Sequence, residues 1–220
     1  MPRHILITCG PSYEPIDEVR RITNHSTGEL GITLANRLAR DGWEVECFIG
    51  AGATCRSALA ENVRRTQFST NEDLLRKLAA FSHREDTVAV FHAAALCDFR
   101  VKQVVDASGG PVASAKIPTR GGEITLVLEP APKVLAQLRG LFPRSRIVGW
   151  KYELAGEREE VVRKGRAQLA ENGTDLCVLN GSAYGLDFGV LALGAEPVDV
   201  RGKAALSDWL TDWVANRGRA

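Results

Sequence analysis

A doubly wound α/β fold is what this sequence predicts, and three observations predict it. Short β-rich runs at 4–10, 44–50, 87–94, 146–151 and 175–180 have the length of strands, and the first is continuous in the way of a strand covered on both faces. Segments with leucines at helical spacing alternate with them, so the strands pair in parallel through helical crossovers. Several runs stop at glycine, alanine or asparagine, small residues placed where α/β sheets bind ligands. Together these describe a Rossmann-like, mostly parallel sheet with helices on both faces.

Taken in order, His4-Ile5-Leu6-Ile7-Thr8-Cys9 is the first strand, stopped by Gly10-Pro11. Leu30, Leu34 and Leu38 mark a helix over 27–40, and Gly42 stands where such a helix ends. A strand at 44–50 follows, then a helix over 71–81 on Leu74, Leu75 and Leu78, with Asn71 as its cap. Residues 87–94 form the third strand. The stretch 101–122 breaks the rhythm, with Ser108-Gly109-Gly110-Pro111 and Gly121-Gly122, and is read as an irregular flap. A strand at 124–128, a helix at 132–141, a strand at 146–151 and a helix at 157–170 lead to the strand at 175–180. A β pair (189–193, 198–200) and a helix at 204–215 finish what is read as one domain over 1–220.

Composition narrows the function classes. At 220 residues the chain can bury about 70% of its unfolded surface, so its core needs no disulfide or metal. Lys plus Arg number 28 against 27 Asp plus Glu, and this balance argues against nucleic acid as a partner. No apolar run reaches membrane-spanning length, and Met1-Pro2-Arg3 leads straight into the first strand, so a cytoplasmic protein with no membrane partner is expected. Cys9, Cys47, Cys55, Cys97 and Cys177 contain no C-x-x-C pair and fit reduced, mostly buried thiols rather than a zinc site.

Four strand ends carry residues suited to a ligand: Gly10-Pro11-Ser12, Ala93-Ala94-Ala95, Gly149-Trp150-Lys151 and Asn180-Gly181-Ser182. Each alone is also ordinary helix–strand packing. Thr23-Asn24-His25-Ser26-Thr27-Gly28-Glu29-Leu30-Gly31 is denser, with hydroxyls and two glycines at a helix start, an arrangement suited to phosphate. Capping by Ser26 or Thr27 explains one hydroxyl and leaves Asn24, His25 and both glycines over. The P-loop, the G-x-G-x-x-G fingerprint, a Y-x-x-x-K pair and the G-x-S-x-G elbow are all absent. Asp98, just past the third strand, suits a hydroxyl, an amide, Mg²⁺ or a turn cap. Lys116, in the middle of the flap, reads by composition as a surface lysine.

In order along residues 4–185 these segments resemble phosphopantothenoylcysteine synthetases, the ligases that join phosphopantothenate to cysteine in coenzyme A biosynthesis. The resemblance is carried by Ile5-Leu6-Ile7-Thr8 through Glu14-Pro15-Ile16-Asp17 and by Val19-Arg20-Arg21-Ile22-Thr23-Asn24-His25-Ser26-Thr27-Gly28. It continues in Ala93-Ala94-Ala95-Leu96-Cys97-Asp98-Phe99, Ala115-Lys116-Ile117 and the strand ending in Asn180. The family's bacterial Lys-Ile-Lys-Lys flap reads Lys116-Ile117-Pro118-Thr119 here, and its Asn/Thr-Pro-Asp segment reads Ala131-Pro132-Lys133. Lys164 matches a nucleotide-site lysine of the bacterial enzymes only in a shifted alignment. Gly121-Gly122 and Trp150-Lys151-Tyr152-Glu153 look closer to the stand-alone eukaryotic type.

The resemblance implies a two-step ligation: activation of 4′-phosphopantothenate as an acyl-nucleotide, then displacement of the nucleotide by the amine of cysteine. It implies Mg²⁺ and either CTP, favoured by bacterial members, or ATP, favoured by eukaryotic ones. Asn24 would hold substrate and acyl-nucleotide, and Lys116 would act on the triphosphate. Gly10, Ser26, Gly28, Gly31, Trp150 and Asn180 would bind the nucleotide, and Ala94, Ala95 and Asp98 the pantothenate arm. Arg20 would reach the substrate phosphate of a neighbouring subunit, which implies a homodimer. The flavin-binding decarboxylase half of bifunctional members is absent, so no FMN is expected. The alternatives are a paralogous ligase for another acid or amine, and a nucleotide-binding module without turnover.

Overall fold

In the computed structural model, which describes residues 4–112, 114–185 and 187–216, β1 (His4–Cys9) is buried at all six positions. It owes this to two parallel neighbours, β4 (Glu44–Gly50) and β6 (Thr87–His92), and to helices on both faces. Ile5, Ile7 and Cys9 join the cluster that holds α1 (Glu29–Arg40) and α5 (Gly202–Ala215). Leu6 points the other way, into the cluster of α2 (Asn71–Ala79) and α3 (Val134–Leu141). A strand of period two between two helical layers buries both of its faces, and β1 meets this with the apolar run Ile5-Leu6-Ile7, while the buried polar Thr8 is paired with His92.

The remaining strands are β2 (Tyr13–Pro15), β3 (Arg21–Thr23), β5 (Val63–Phe68), β7 (Phe99–Asp106), β8 (Ile124–Pro130), β9 (Arg146–Tyr152), β10 (Leu176–Asn180), β11 (Phe188–Ala192) and β12 (Val198–Val200). Helix α4 (Arg158–Asn172) packs Val161, Val162 and Leu169 on β10 and β11. The main sheet has eight strands in the order β12-β11-β10-β9-β6-β1-β4-β5. Pairing is parallel from β5 to β10 and antiparallel at β10–β11 and β11–β12. Chain order reverses between β1 and β6, so a crevice opens at their carboxyl ends, the place where such sheets bind ligands. No helix among the described residues is long and apolar enough to cross a membrane.

Several expectations need correction. Helix α1 starts at Glu29 with Gly28, at φ 79°, in the N-cap position; the Thr27 hydroxyl still accepts from the Glu29 amide at 3.2 Å, so one orphan N–H is met as expected but from the residue before the cap. Thr70 caps α2 by accepting from the Asp73 amide; Asn71 is buried as the first helical residue and donates to the carbonyls of Cys97 and Pro132. The flap is not irregular from end to end: β7 and β8 form an antiparallel ribbon, with a short 3₁₀ turn at Thr119–Gly121 in the segment that joins them. Both faces of the ribbon are largely polar or exposed, which hides it from a pattern search. The edge strand β5 (Val-Arg-Arg-Thr-Gln-Phe) and the β2–β3 hairpin went unread for the same reason.

His92, at the end of β6, lies 2.7 Å by Nδ1 from Thr8 Oγ1, and burial pushes its pKa down to about 4 from the ordinary 6.5. The unfolded chain therefore binds this proton more tightly than the folded one. His92 leaves stability intact above pH 6.5 and lowers it as pH falls through 6.5 towards about 4. The shift is worth roughly 3 kcal/mol. His92→Gln is expected to flatten the fall in denaturant midpoint across that window. A parent-minus-variant difference that does not vary with pH contradicts this.

Candidate active site

The crevice begins with the way β1 and β6 continue past their ends. Ala93 N–H donates to the Thr8 carbonyl at 2.9 Å, and Ala95 N–H to the Gly10 carbonyl at 3.0 Å. The small side chains of 93–95 are thus held as a floor beside Gly10. Gly10 and Gly28 both have positive φ, and a Cβ on Gly28 would lie 3.4 Å from the Gly10 Cα, so the two turns are stacked back to back. One turn into α1, a Cβ on Gly31 would lie 2.2 Å from the Cys9 Cβ. Only glycine lets the helix start this close to the strand, which brings its free N–H groups to the crevice.

The result is a cleft of about 490 Å³. Of the residues singled out in the sequence, Ser26, Gly28, Gly31, Ala94, Ala95, Trp150 and Asn180 line it, and Gly10 lies directly beneath Gly28. Asp98 belongs to an adjoining cavity of about 190 Å³, which shares Ala94 and Trp150 with the first. Asn24 stands between strand β3 and the cleft-lining His25 and Ser26, and its Nδ2 donates to the Leu96 carbonyl at 2.8 Å. Trp150 Nε1 and Asn180 Oδ1 are buried and have no hydrogen-bond partner in the chain. Buried polar atoms are rarely left so, and these two belong to cleft-lining side chains.

Asn24, Arg20 and Lys116 lie outside both cavities. Arg20 is engaged within its own chain, by Nε and Nη2 to Asp17 and by Nη2 to the Ile117 carbonyl. Lys116 is exposed in the segment that joins β7 and β8, where its backbone exchanges hydrogen bonds with the Ser114 hydroxyl. Lys164 is held at the carboxyl end of β9, 2.8 Å from Glu153 Oε2; this contact, followed by that of Lys151, keeps the Glu153 carboxyl below its usual range. Cys97 is no reactive thiol: it is 5% exposed, its Sγ faces the carbonyls of Ser12 and Ile22, and burial raises its pKa.

Sequence reading missed four residues. Tyr152, Phe188 and Lys203 line the larger cleft, Lys203 paired with Glu29 at the start of α1. Lys133 lines the smaller cavity, paired with Asp98. For Lys133 a signal existed, since Pro132-Lys133 opens a helix that follows the ribbon. Lys203 lies more than 170 positions from its partner, and nothing local announces the pairing. Among the described residues no three His, Cys, Asp or Glu side chains converge as a metal centre would require. The cleft therefore offers backbone donors, two unpaired polar atoms and paired charges, a set suited to binding and orienting a polyanion beside a smaller organic group.

Comparison with known proteins gives consistent neighbours. The model of the DNA/pantothenate metabolism flavoprotein C-terminal domain matches residues 1–191. The coenzyme A biosynthesis bifunctional protein CoaBC of Thermococcus kodakarensis is 32% identical over 178 residues, covering 81% of this chain and 41% of that protein. The chain thus spans about two fifths of the length of that relative. The crystal structure of the DNA/pantothenate metabolism flavoprotein from Streptococcus pneumoniae superimposes with a TM-score of 0.85 at 22% identity, covering 97% of this chain and 98% of that one. A Cab2 mutant solved in complex with phosphopantothenate-cysteine has a TM-score of 0.73 at 19% identity, with 98% and 86% covered. These two likenesses establish the shared fold.

An unpaired buried indole N–H costs a folded protein about 1–3 kcal/mol. Trp150→Phe is accordingly expected to unfold at the same or a higher denaturant concentration than the parent. A loss of more than about 2 kcal/mol would instead mean that Nε1 is already satisfied within the fold.

Proposed function

The chain belongs to the DNA/pantothenate metabolism flavoprotein C-terminal domain family, and from that membership we propose that it ligates 4′-phosphopantothenate to cysteine with a nucleoside triphosphate. The observation that carries the reading is the cleft itself: a helix start fixed against β1 by Gly31, next to the alanine floor at 93–95 and the smaller cavity holding Asp98. The names of the CoaBC relatives support coenzyme A biosynthesis as the setting.

In the proposed reaction the phosphopantothenate carboxylate attacks the α-phosphorus, and the bond to pyrophosphate breaks. The amine of cysteine then attacks the acyl carbon, losing a proton as the nucleoside monophosphate leaves. Neither step needs a strong side-chain base, and orientation with charge stabilisation accounts for catalysis. Ser26, Gly28, Gly31 and the N–H groups of the first turn of α1 bind phosphate oxygens, with Gly10 below them. Trp150 and Asn180 meet the base with their unpaired Nε1 and Oδ1. Ala94, Ala95 and Asp98 hold the pantothenate arm, Asn24 holds the acyl-nucleotide, and Lys116 neutralises the triphosphate. Mg²⁺ suits a site of this kind as the triphosphate's own counter-ion, bound by phosphate oxygens and water with few protein ligands. When bound it spreads the negative charge of the leaving pyrophosphate.

A homodimer completes the proposal. Phe99, Val101 and Leu128 share one face of the ribbon, with Phe99 54% and Leu128 43% exposed, an apolar surface of the kind that pairs subunits. Arg20 reaches a neighbour's substrate phosphate only through the part of its guanidinium not given to Asp17 and Ile117.

Pyrophosphate release with Mg²⁺, 4′-phosphopantothenate and CTP or ATP tests the reading. Release that requires phosphopantothenate is expected, and the faster nucleotide identifies the subtype. No release with either, from folded protein, rejects the reading in favour of a ligase for another acid. Asn24→Asp is expected to let acyl-nucleotide accumulate without amide formation. Lys116→Gln is expected to slow pyrophosphate release about 10²–10³-fold with the fold intact; a parental rate returns Lys116 to the solvated surface.

A further inference from the structure

We propose that Asp17 is the positioning residue that holds Lys116 in register with the strand leading to Asn24, an inference that rests on the ligase reading for what Lys116 does. The Asp17 side chain is 1% exposed although it lies in the turn between β2 and β3. Its Oδ1 accepts from the amides of Val19 at 2.9 Å and Arg20 at 2.7 Å. Its Oδ2 accepts from Arg20 Nε at 3.0 Å and Nη2 at 2.5 Å, and also from the Ile117 amide at 3.1 Å. The last of these bonds joins residues 100 positions apart.

Two further bonds close the same contact. Arg20 Nη2 donates to the Ile117 carbonyl at 2.7 Å, and the Glu18 amide donates to the Ala115 carbonyl at 3.1 Å. The residues on either side of Lys116 are therefore both tied to the β2–β3 turn, and Ile117 is 4% exposed. Lys116 itself stays exposed between two fixed points. A long lysine on a free loop spends most of its time away from any one position; pinning its two neighbours removes the backbone part of that freedom. The same hairpin passes through β3 straight into Asn24, whose Nδ2 is bound to the Leu96 carbonyl. One carboxylate thus links the flap lysine to the segment that carries Asn24.

A turn that simply needs Asp17 to fold would lose activity whatever stands at position 116, so a double-mutant cycle separates the two cases. Asp17→Asn is expected to lower kcat for pyrophosphate release about tenfold or more while leaving KM for the nucleotide within about twofold. In a Lys116→Gln background, at saturating 4′-phosphopantothenate so that any change at Arg20 falls on substrate binding, the same substitution is expected to cost nothing further in kcat. Losses that multiply overturn the inference. Asp17→Glu, which keeps the charge and displaces the carboxylate by one methylene, supplies a second variant with the same expected pattern. Hydrogen exchange gives a readout independent of turnover: the Ile117 amide is expected to be protected in the parent and to exchange at least about tenfold faster in Asp17→Asn. Equal exchange in the two proteins overturns the inference. Should the parent release no pyrophosphate, the ligase reading fails while exchange still decides whether Asp17 holds the segment around Lys116.

Discussion

Helix α1 lies so close to the end of β1 that a single methyl group on Gly31 would sit 2.2 Å from the Cys9 Cβ, and the cleft is built outward from that contact. With the helix in this place, its first N–H groups face the gap where β1 and β6 part, and Gly28 can stack on Gly10. A larger residue at 31 would push the helix start off the strand and carry Ser26, Thr27 and Glu29 with it. Packing this tight is ordinary in protein interiors, but here it borders open space, so core geometry sets site geometry.

The site has two kinds of polar group, and they are treated differently by the fold. Charges that line it are paired: Asp98 with Lys133 in the smaller cavity and Glu29 with Lys203 in the larger. Two buried atoms of cleft-lining side chains, Trp150 Nε1 and Asn180 Oδ1, are uncharged and unpaired. Ion pairs exposed to water are weak and exchange easily for other partners. Unpaired neutral groups in a dry wall cost folding energy that a ligand's hydrogen bonds would recover. This division suits a site that must admit a highly charged substrate and still discriminate within its uncharged part.

The buried histidine and the buried thiol near the cleft are governed by the same kind of environment. His92 is buried against Thr8 and held neutral at ordinary pH, and Cys97 is enclosed by the carbonyls of Ser12 and Ile22. What the architecture supplies is fixed donors and fixed distances, which orient a ligand rather than move its protons.

The sequence by itself determined the fold class, most of the strands and helices, and the ligand end of the strands, but not the strand order. Period and punctuation carry that information locally: β1, β4, β6, β9 and β10 each hold a short, largely buried apolar stretch, and small residues such as Gly10, Ala93 and Gly50 stand at or just past several of their ends. For that reason Ser26, Gly28, Gly31, Ala94, Ala95, Trp150 and Asn180 could be singled out before being seen to line one cleft. Residues 63–68 and 99–106 were not legible as strands, because an edge strand and a free ribbon face water and owe their pairing to backbone bonds that leave no apolar pattern. Asn71 shows the limit at a single residue: a capping type by composition, it is spent on two carbonyls far away in the chain. Tertiary structure alone decided that Lys203 meets Glu29, that Lys133 meets Asp98, and that Asp17 takes the Ile117 amide. Each of these joins residues distant in sequence through groups that have no periodicity, so only the folded chain can bring them together.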